Sequence, residues 1–314
     1  MRIHIPNSAF IKNIDPFLKS FDASEPHILD ITSHPNWTSI HPLVLSMIAA
    51  LGLHVKPENI HINIEAKSRV YLVRMGLYEM LGIRPDITIE PHAPEGRFIP
   101  LQQVKTQAGL DKFITDMIPI LHKDPEQAST IAYIVSELGR NVLEHSESTN
   151  GAILCAQRYP KSNSIRIGIV DTGVGIKKTI NRSHPALSDL EAIRLALWPG
   201  ITGTTSKPGG TEQNAGAGLF FIKAIAQVNR DFFLLYSGNA FYKLLANKKT
   251  IIHSDPFEAR HKRIENLPYW QGTVVGIDIS LDQTQEYDAL LTAIRKTYSS
   301  LRKKKIPYKR PRFI

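Results

Sequence analysis

The sequence predicts an α/β protein of the α+β kind, made of a small N-terminal unit and a larger unit of helices and strands. Three observations lead there. Over residues 1–95, short strand-like runs alternate with helix-like ones, the pattern of a small α/β domain. A proline-rich stretch containing Pro91, Pro94 and Pro100 then interrupts the pattern and reads as a linker over 96–105. Beyond it, over 106–282, two long helical segments lead into a series of strands.

In chain order, Arg2–Ile5 and Ile60–Ile64 alternate with period two, and His27–Ile31 is a short apolar run. Pro42–Leu53 is long and apolar enough for a buried helix, and Arg69–Leu81 reads as one amphipathic helix. The two helices after the linker span Thr106–His122 and Glu126–His145. Strands follow at Ala152–Arg158 and Ser164–Val170. The segment from Lys177 to Ala215 is polar and rich in Gly, Ser, Thr and Pro. Gly218–Val228 is again apolar and helical in length. Phe232–Tyr236, turned by Ser-Gly-Asn, pairs with Ala240–Leu245 as a hairpin. Thr250–His253 and Thr273–Ser280 complete the strands, the last with Val275, Ile277 and Ile279 on one face.

The composition, 42% hydrophobic and 21% charged over 314 residues, is that of an ordinary globular chain. No apolar run approaches the ~18 residues that span a bilayer, and the first residues hold no long apolar signal segment. The single cysteine, Cys155, excludes an intrachain disulfide and argues against a cysteine-rich zinc site. A cytoplasmic location is the expectation. The net charge of +9 is concentrated at the C-terminus: Arg295, Lys296, Arg302, Lys303, Lys304, Lys305, Lys309, Arg310 and Arg312 fall in the last twenty residues with no acidic neighbour. The body is thus close to neutral. The stretch 283–314 reads as a helical, basic extension. It is either a solvated tail or a contact for the phosphates of nucleic acid or an anionic surface.

Three segments carry candidate chemistry. In TIAYIVSELGRNVLEHS, Glu137 and Asn141 stand one helical turn apart, a carboxylate and an amide that together can hold a water and a hydrated Mg²⁺. In IRIGIVDTGVGI, an apolar strand with Ile165, Ile167 and Ile169 on one face runs into Asp171, followed by Gly173 and Gly175. A carboxylate there can accept from an adenine amine, and glycines let backbone approach a flat base. In GGTEQNAGAGLFFIKAI, Gly216 and Gly218 open a helix whose free N–H groups suit phosphate. Each segment has an ordinary reading: a polar helix face, a surface turn, a loop before a helix.

Together, in this order, the three segments resemble the nucleotide-binding boxes of the gyrase, heat-shock chaperone, histidine kinase and MutL (GHKL) ATPases, over residues 105–280. The resemblance implies a Bergerat-type α/β sandwich with helices on one face of a mixed sheet, and ATP with Mg²⁺ as ligands. By its pattern Asn141 is the Mg²⁺ ligand and Asp171 the adenine acceptor. Gly173 and Gly175 line the base pocket, Gly216 and Gly218 the phosphate cradle, with Leu219 among the cofactor-binding residues. Thr273 supports the aspartate through water, and Glu137 is the base that polarises the attacking water. Residues 177–215 hold the ATP lid. His145, two turns beyond Glu137, is a secondary candidate for the site. The N-terminal unit, through HILDI, WTSIHPLVLSMIAALGL and YLVRMGLYEMLG, resembles a STAS-type domain. In that family a Ser or Thr near Thr38 or Ser39 takes a phosphate, and capping a helix is the plainer role for either.

Other nucleotide motifs fail. Gly203-Thr-Thr-Ser-Lys207 only echoes a P-loop, and Gly216-x-Gly218 meets Phe221 where a dinucleotide fingerprint wants glycine. No His-Glu pair marks a phosphoacceptor helix. After Ser280 only 34 residues follow, short of a second domain with a catalytic lysine, for which Lys207 is the one lid candidate. The expectation is an ATP-hydrolysing regulatory switch with a protein partner and a possible homodimer. The alternatives are a non-hydrolysing, nucleotide-gated interaction protein and a serine/threonine-type protein kinase.

Overall fold

The computed structural model of the chain describes residues 1–36, 38–87, 97–121, 125–201, 218–247, 252–281 and the single positions Thr292, Lys296 and Ser299. Its N-terminal part runs β1 (Arg2–Ile5), β2 (Ser8–Ala9), α1 (Asp15–Lys19), β3 (Leu29–Ser33), β4 (Ser39–Ile40), α2 (Pro42–Gly52), β5 (Ile60–Asn63), α3 (Arg69–Arg74) and α4 (Leu77–Met80). The remainder runs β6 (Phe98–Val104), α5 (Gln107–Leu121), α6 (Pro125–His145), β7 (Ala152–Tyr159), β8 (Ser164–Val170), α7 (Gly175–Ile180), α8 (Asp189–Ala196), α9 (Gly218–Val228), β9 (Phe233–Gly238), β10 (Ala240–Leu244), β11 (His261–Ile264) and β12 (Trp270–Ser280). This is a mixed α/β chain. No helix among the described residues is long and apolar enough to cross a membrane.

β1, β3 and β5 form a three-stranded parallel sheet with β3 in the middle. The main sheet has seven strands in the order β11-β10-β9-β12-β8-β7-β6, and every neighbouring pair is antiparallel. Period-two alternation gives this sheet two apolar faces. Leu154, Ala156, Ile165, Ile167, Ile169, Val275, Ile277 and Ile279 share a core with α5, α6, α8 and α9. Ile153, Cys155, Val170, Leu234, Tyr236 and Val274 share the other core with the N-terminal part. α2 explains that second core. All eleven of its residues are buried, as its near-continuous apolar sequence requires. Its start lies on glycines of two central strands: a methyl at Gly168 would come within 2.4 Å of Leu43 Cα, and one at Gly276 within 2.7 Å of Leu43 Cδ2.

A buried polar clasp fixes the same junction. His41 caps α2 by accepting the Leu43 N–H at Nδ1, so its Nε2 carries the proton and donates to Asp278 at 2.9 Å. Burial is the main force on His41 and lowers its pKa. Arg166 approaches the other Asp278 oxygen at 3.6 Å, and its guanidinium lies against both the Phe10 and the Tyr159 ring, at 4.2 and 4.1 Å from their centroids.

The structure corrects several expectations. The stretch 96–105 contains β6, an edge strand whose Ile99, Leu101 and Val104 are buried, so the alternation outweighs Pro100 there. Arg69–Leu81 is two short helices, because Gly76 takes φ +77° between them. The expected lid contains α7 and α8, with Ile180, Leu190, Ile193 and Leu195 buried at helical spacing; positions 202–217, including Lys207 and Gly216, lie outside the described residues. Ile252 and His253 are not in a strand, positions 250–251 lie outside the described residues, and β11 was not anticipated. The helix cap is His41 and neither Thr38 nor Ser39. Thr38 is buried with its hydroxyl 2.6 Å from that of Ser68, sheltered from phosphate transfer, while Ser39 sits in β4. Of the basic extension, only Thr292, Lys296 and Ser299 are described, each helical and exposed.

Cys155 lies under this junction, its thiol donating to the Pro42 carbonyl at 3.2 Å, and burial pushes its pKa up to about 12. It should therefore resist thiol reagents until α2 leaves the sheet. Gly168→Ala forces a methyl into the α2 backbone and should cost about 1–3 kcal/mol in denaturant unfolding. It should also speed labelling of Cys155. Equal labelling rates in the two proteins would refute this account of the junction.

Candidate functional site

Glu137 and Asn141 sit on α6 because the apolar stripe Ile131, Ile134, Val135 and Leu138 turns the opposite face of the helix away from the sheet. Both come against the first turn of α9. A methyl at Gly218 would lie 2.6 Å from Glu137 Oε2 and 3.8 Å from the Asn141 amide nitrogen. A side chain there would have to displace the Glu137 carboxylate. Leu219 packs against the helical core beside it. Arg140 donates to Glu137 Oε1 at 3.1 Å and lies 3.5 Å from Glu144. Burial raises the Glu137 pKa, with Arg140 working against it.

Asp171 is the first residue past β8. Its backbone N–H donates to the Thr273 carbonyl at 2.9 Å, and the Trp270 indole N–H donates to the Asp171 carbonyl at 3.2 Å. One carboxylate oxygen accepts the Gly173 N–H at 2.8 Å, and Thr273 also bonds the side chain. Burial dominates and pushes the pKa up to about 7, with no ion pair to offset it among the described residues. Gly173 presses on the end of α6: a methyl there would come within 2.0 Å of the Ser146 carbonyl, which also accepts the Val174 N–H at 2.7 Å. Gly175 takes φ +76° to start α7, whose Ile176 N–H donates to Ser237 Oγ at 3.0 Å.

The two groups meet through one helix. Glu137 and Asn141 touch the start of α9, and Ser146, the residue after the last turn of the same helix, touches Gly173. Nine residues separate Glu137 from Ser146, about 14 Å of helix. Gly216, the remaining expected member, lies outside the described residues. His145 faces Glu144 at 3.7 Å.

Sequence reasoning missed Ser146, Ser237, Gly272, Trp270 and Arg140. Gly272, at φ +103° and packed on the Asp171 carbonyl, belongs to the Trp-Gln-Gly-Thr run that opens β12, where a glycine just before the expected strand start at Thr273 was the available signal. For Ser146 and Ser237 the one-dimensional pattern held no signal, since each acts through contacts distant in sequence.

For the groups the resemblance implies, the donor types fit. Glu137 and Asn141 are oxygen donors suited to a hydrated Mg²⁺. Asp171 offers a buried acceptor beside backbone that a Cβ would block. The sequence matches no family model and no curated protein.

Asp171 holds its proton to about pH 7 in the folded chain, whereas its ordinary value is 3.8. Between these values the folded chain binds the extra proton, so this group makes stability fall as pH rises, until the loss is complete above about 7. Asp171→Asn should therefore remove up to ~1.4 kcal/mol per pH unit from the slope of unfolding free energy between about pH 5 and 6.5. Parallel slopes for the two proteins would show that Asp171 is ionised in that range.

Proposed function

We propose that the chain binds ATP with Mg²⁺ and acts as an ATP-hydrolysing regulatory switch of the GHKL type, within a two-part architecture of a STAS-like N-terminal unit and a Bergerat-type unit. The observation that carries the reading is the arrangement on α6. About its middle the helix sets a carboxylate and an amide against a glycine helix start, and just past its C-terminal end it meets a glycine loop whose buried aspartate has no ion-pair partner among the described residues. The first group suits phosphate and metal, the second a base with an exocyclic amine.

In this reading Asp171 accepts the adenine amine, Thr273 and the Gly173 N–H hold its carboxylate in place, and Gly175 gives the base room. Gly218, with Gly216 before it, receives phosphate oxygens on backbone N–H groups. Asn141 holds Mg²⁺, which when bound would neutralise phosphate charge. Glu137 holds the proton of the water that attacks the γ-phosphorus; its burial favours a base nearer neutrality. The Arg140–Glu137 ion pair supports a second reading, a gated binder in which Glu137 stays tied and ATP is held without turnover. The downstream partner is a protein.

Purified protein with Mg²⁺ and γ-labelled ATP tests these roles. Measured above pH 7, where Asp171 is ionised, Asp171→Asn should weaken ATP binding about ten- to hundredfold, the worth of one hydrogen bond to a charged acceptor. Glu137→Gln should leave binding intact and slow phosphate release ~10²–10⁴-fold. Binding without phosphate release in the wild type selects the gated binder. Unchanged ATP affinity in Asp171→Asn removes the adenine assignment.

A further inference from the structure

The loop carrying Asp171 also borders a cavity. Val174 and Gly175 line a cleft of 460 Å³ whose walls include Lys177 and Lys178 on α7, Asp189 on α8, and Tyr269 and Gln271 at the start of β12. Neither Glu137, Asn141, Asp171 nor Gly218 lines it. Its uncommitted charge is positive. Asp189 is taken up by the β9–β10 turn, where it accepts the Asn239 N–H at 3.0 Å and packs on Gly238. Lys178 reaches Glu147 at 3.7 Å, and Lys177 has no ion-pair partner among the described residues.

One exposed apolar side chain lines the cleft and a second lies close to it along the chain. Among the described residues only three large hydrophobics are exposed, Val70, Leu187 and Tyr269. Tyr269, 57% exposed, lines the cleft itself, and Leu187, 89% exposed, stands two residues before Asp189, at most about 7 Å along the chain. An aromatic and an aliphatic side chain left in water beside a charged pocket are the ingredients of an interface anchor. The chain's own C-terminal extension is an unsuitable occupant, since its nine basic residues would be repelled by Lys177 and Lys178.

We propose that this cleft docks an acidic, extended segment of a protein partner, with a carboxylate at Lys177 and apolar side chains against Leu187 and Tyr269. The cleft is tied to the loop behind it: the Gln271 amide donates to the Gly173 carbonyl, and Ser237 holds both the Ile176 N–H and the Gly272 carbonyl. A segment seated on Gln271 and Lys177 therefore bears on the backbone that positions Asp171. Its affinity depends on the nucleotide state, a dependence that rests on the ATP reading, whereas the docking does not.

A random peptide library panned on the full chain, then counter-panned on the Lys177→Glu/Leu187→Ser/Tyr269→Ser variant, tests the docking. The expected consensus combines Asp or Glu with apolar residues. A labelled consensus peptide should bind the wild type, weaken with salt, and bind the variant at least tenfold less tightly, with matching thermal unfolding showing that the variant is folded. A basic or absent consensus, or equal affinity for the variant, overturns the proposal. Mg·ATP should then shift peptide affinity several-fold in the wild type and leave it unchanged in Asp171→Asn. If ATP binds without shifting it, the coupling is wrong and the docking stands. If ATP does not bind at all, the ATP reading fails while the peptide result still decides the docking.

Discussion

The back face of the seven-stranded sheet is apolar along its central strands, and water cannot solvate it at acceptable cost. α2 answers that constraint. Its residues Pro42–Gly52 are apolar all round, which suits a helix enclosed on every side and no other kind. The contact is close because Gly168 and Gly276, on neighbouring strands, leave room for the start of the helix. His41 and Asp278 then fix orientation where apolar packing alone would allow sliding, and Arg166 joins Phe10 and Tyr159 across the same seam. The N-terminal part and the sheet thus share one core. The candidate site, on the opposite face, inherits a rigid sheet from this arrangement.

On that opposite face, α6 works as a spacer of fixed length. Its interior contacts α9 at Glu137 and Asn141 and its C-terminal end contacts the loop after β8, so the separation between the carboxylate-amide pair and the buried aspartate follows largely from helical rise. The aspartate is held by backbone donors and Thr273, with no cation beside it among the described residues. Such a group is costly to keep ionised, and folded chains retain it where it has a task, which is the physical basis for treating Asp171 as functional.

Much of this was legible in the sequence because it follows from periodicity. Ile165, Ile167 and Ile169, and Val275, Ile277 and Ile279, do share the helical face of the sheet, and α2, α5, α6 and α9 lie within a few residues of their expected bounds. Glycine spacing likewise pointed to Gly173, Gly175 and Gly218. The failures have a common cause. β6 was hidden by Pro100, which an edge strand tolerates. α7 and α8 were hidden by polar residues around a sparse apolar stripe. Ser237 and the cleft at Tyr269 arise only when segments far apart in sequence meet. The sheet implied by the resemblance was mixed, whereas every pairing within the seven-stranded sheet is antiparallel, a property of connection and register that local pattern does not encode.

The position of β12 governs how the molecule can be made. It is the last strand in the chain among the described residues, yet it lies in the middle of the sheet, pairing β8 on one side and β9 on the other. Before it is added, β6–β8 and β9–β11 are two separate ribbons with open edges, and Asp171 lacks Thr273. During synthesis from the N-terminus, therefore, the candidate site stays incomplete until the residues after 270 have left the ribosome. The late strand also closes contacts of long sequence separation, which slows folding and leaves apolar edges open to association in the interval. The central strand is at once the seam of the fold and the step that commits the chain to a finished site.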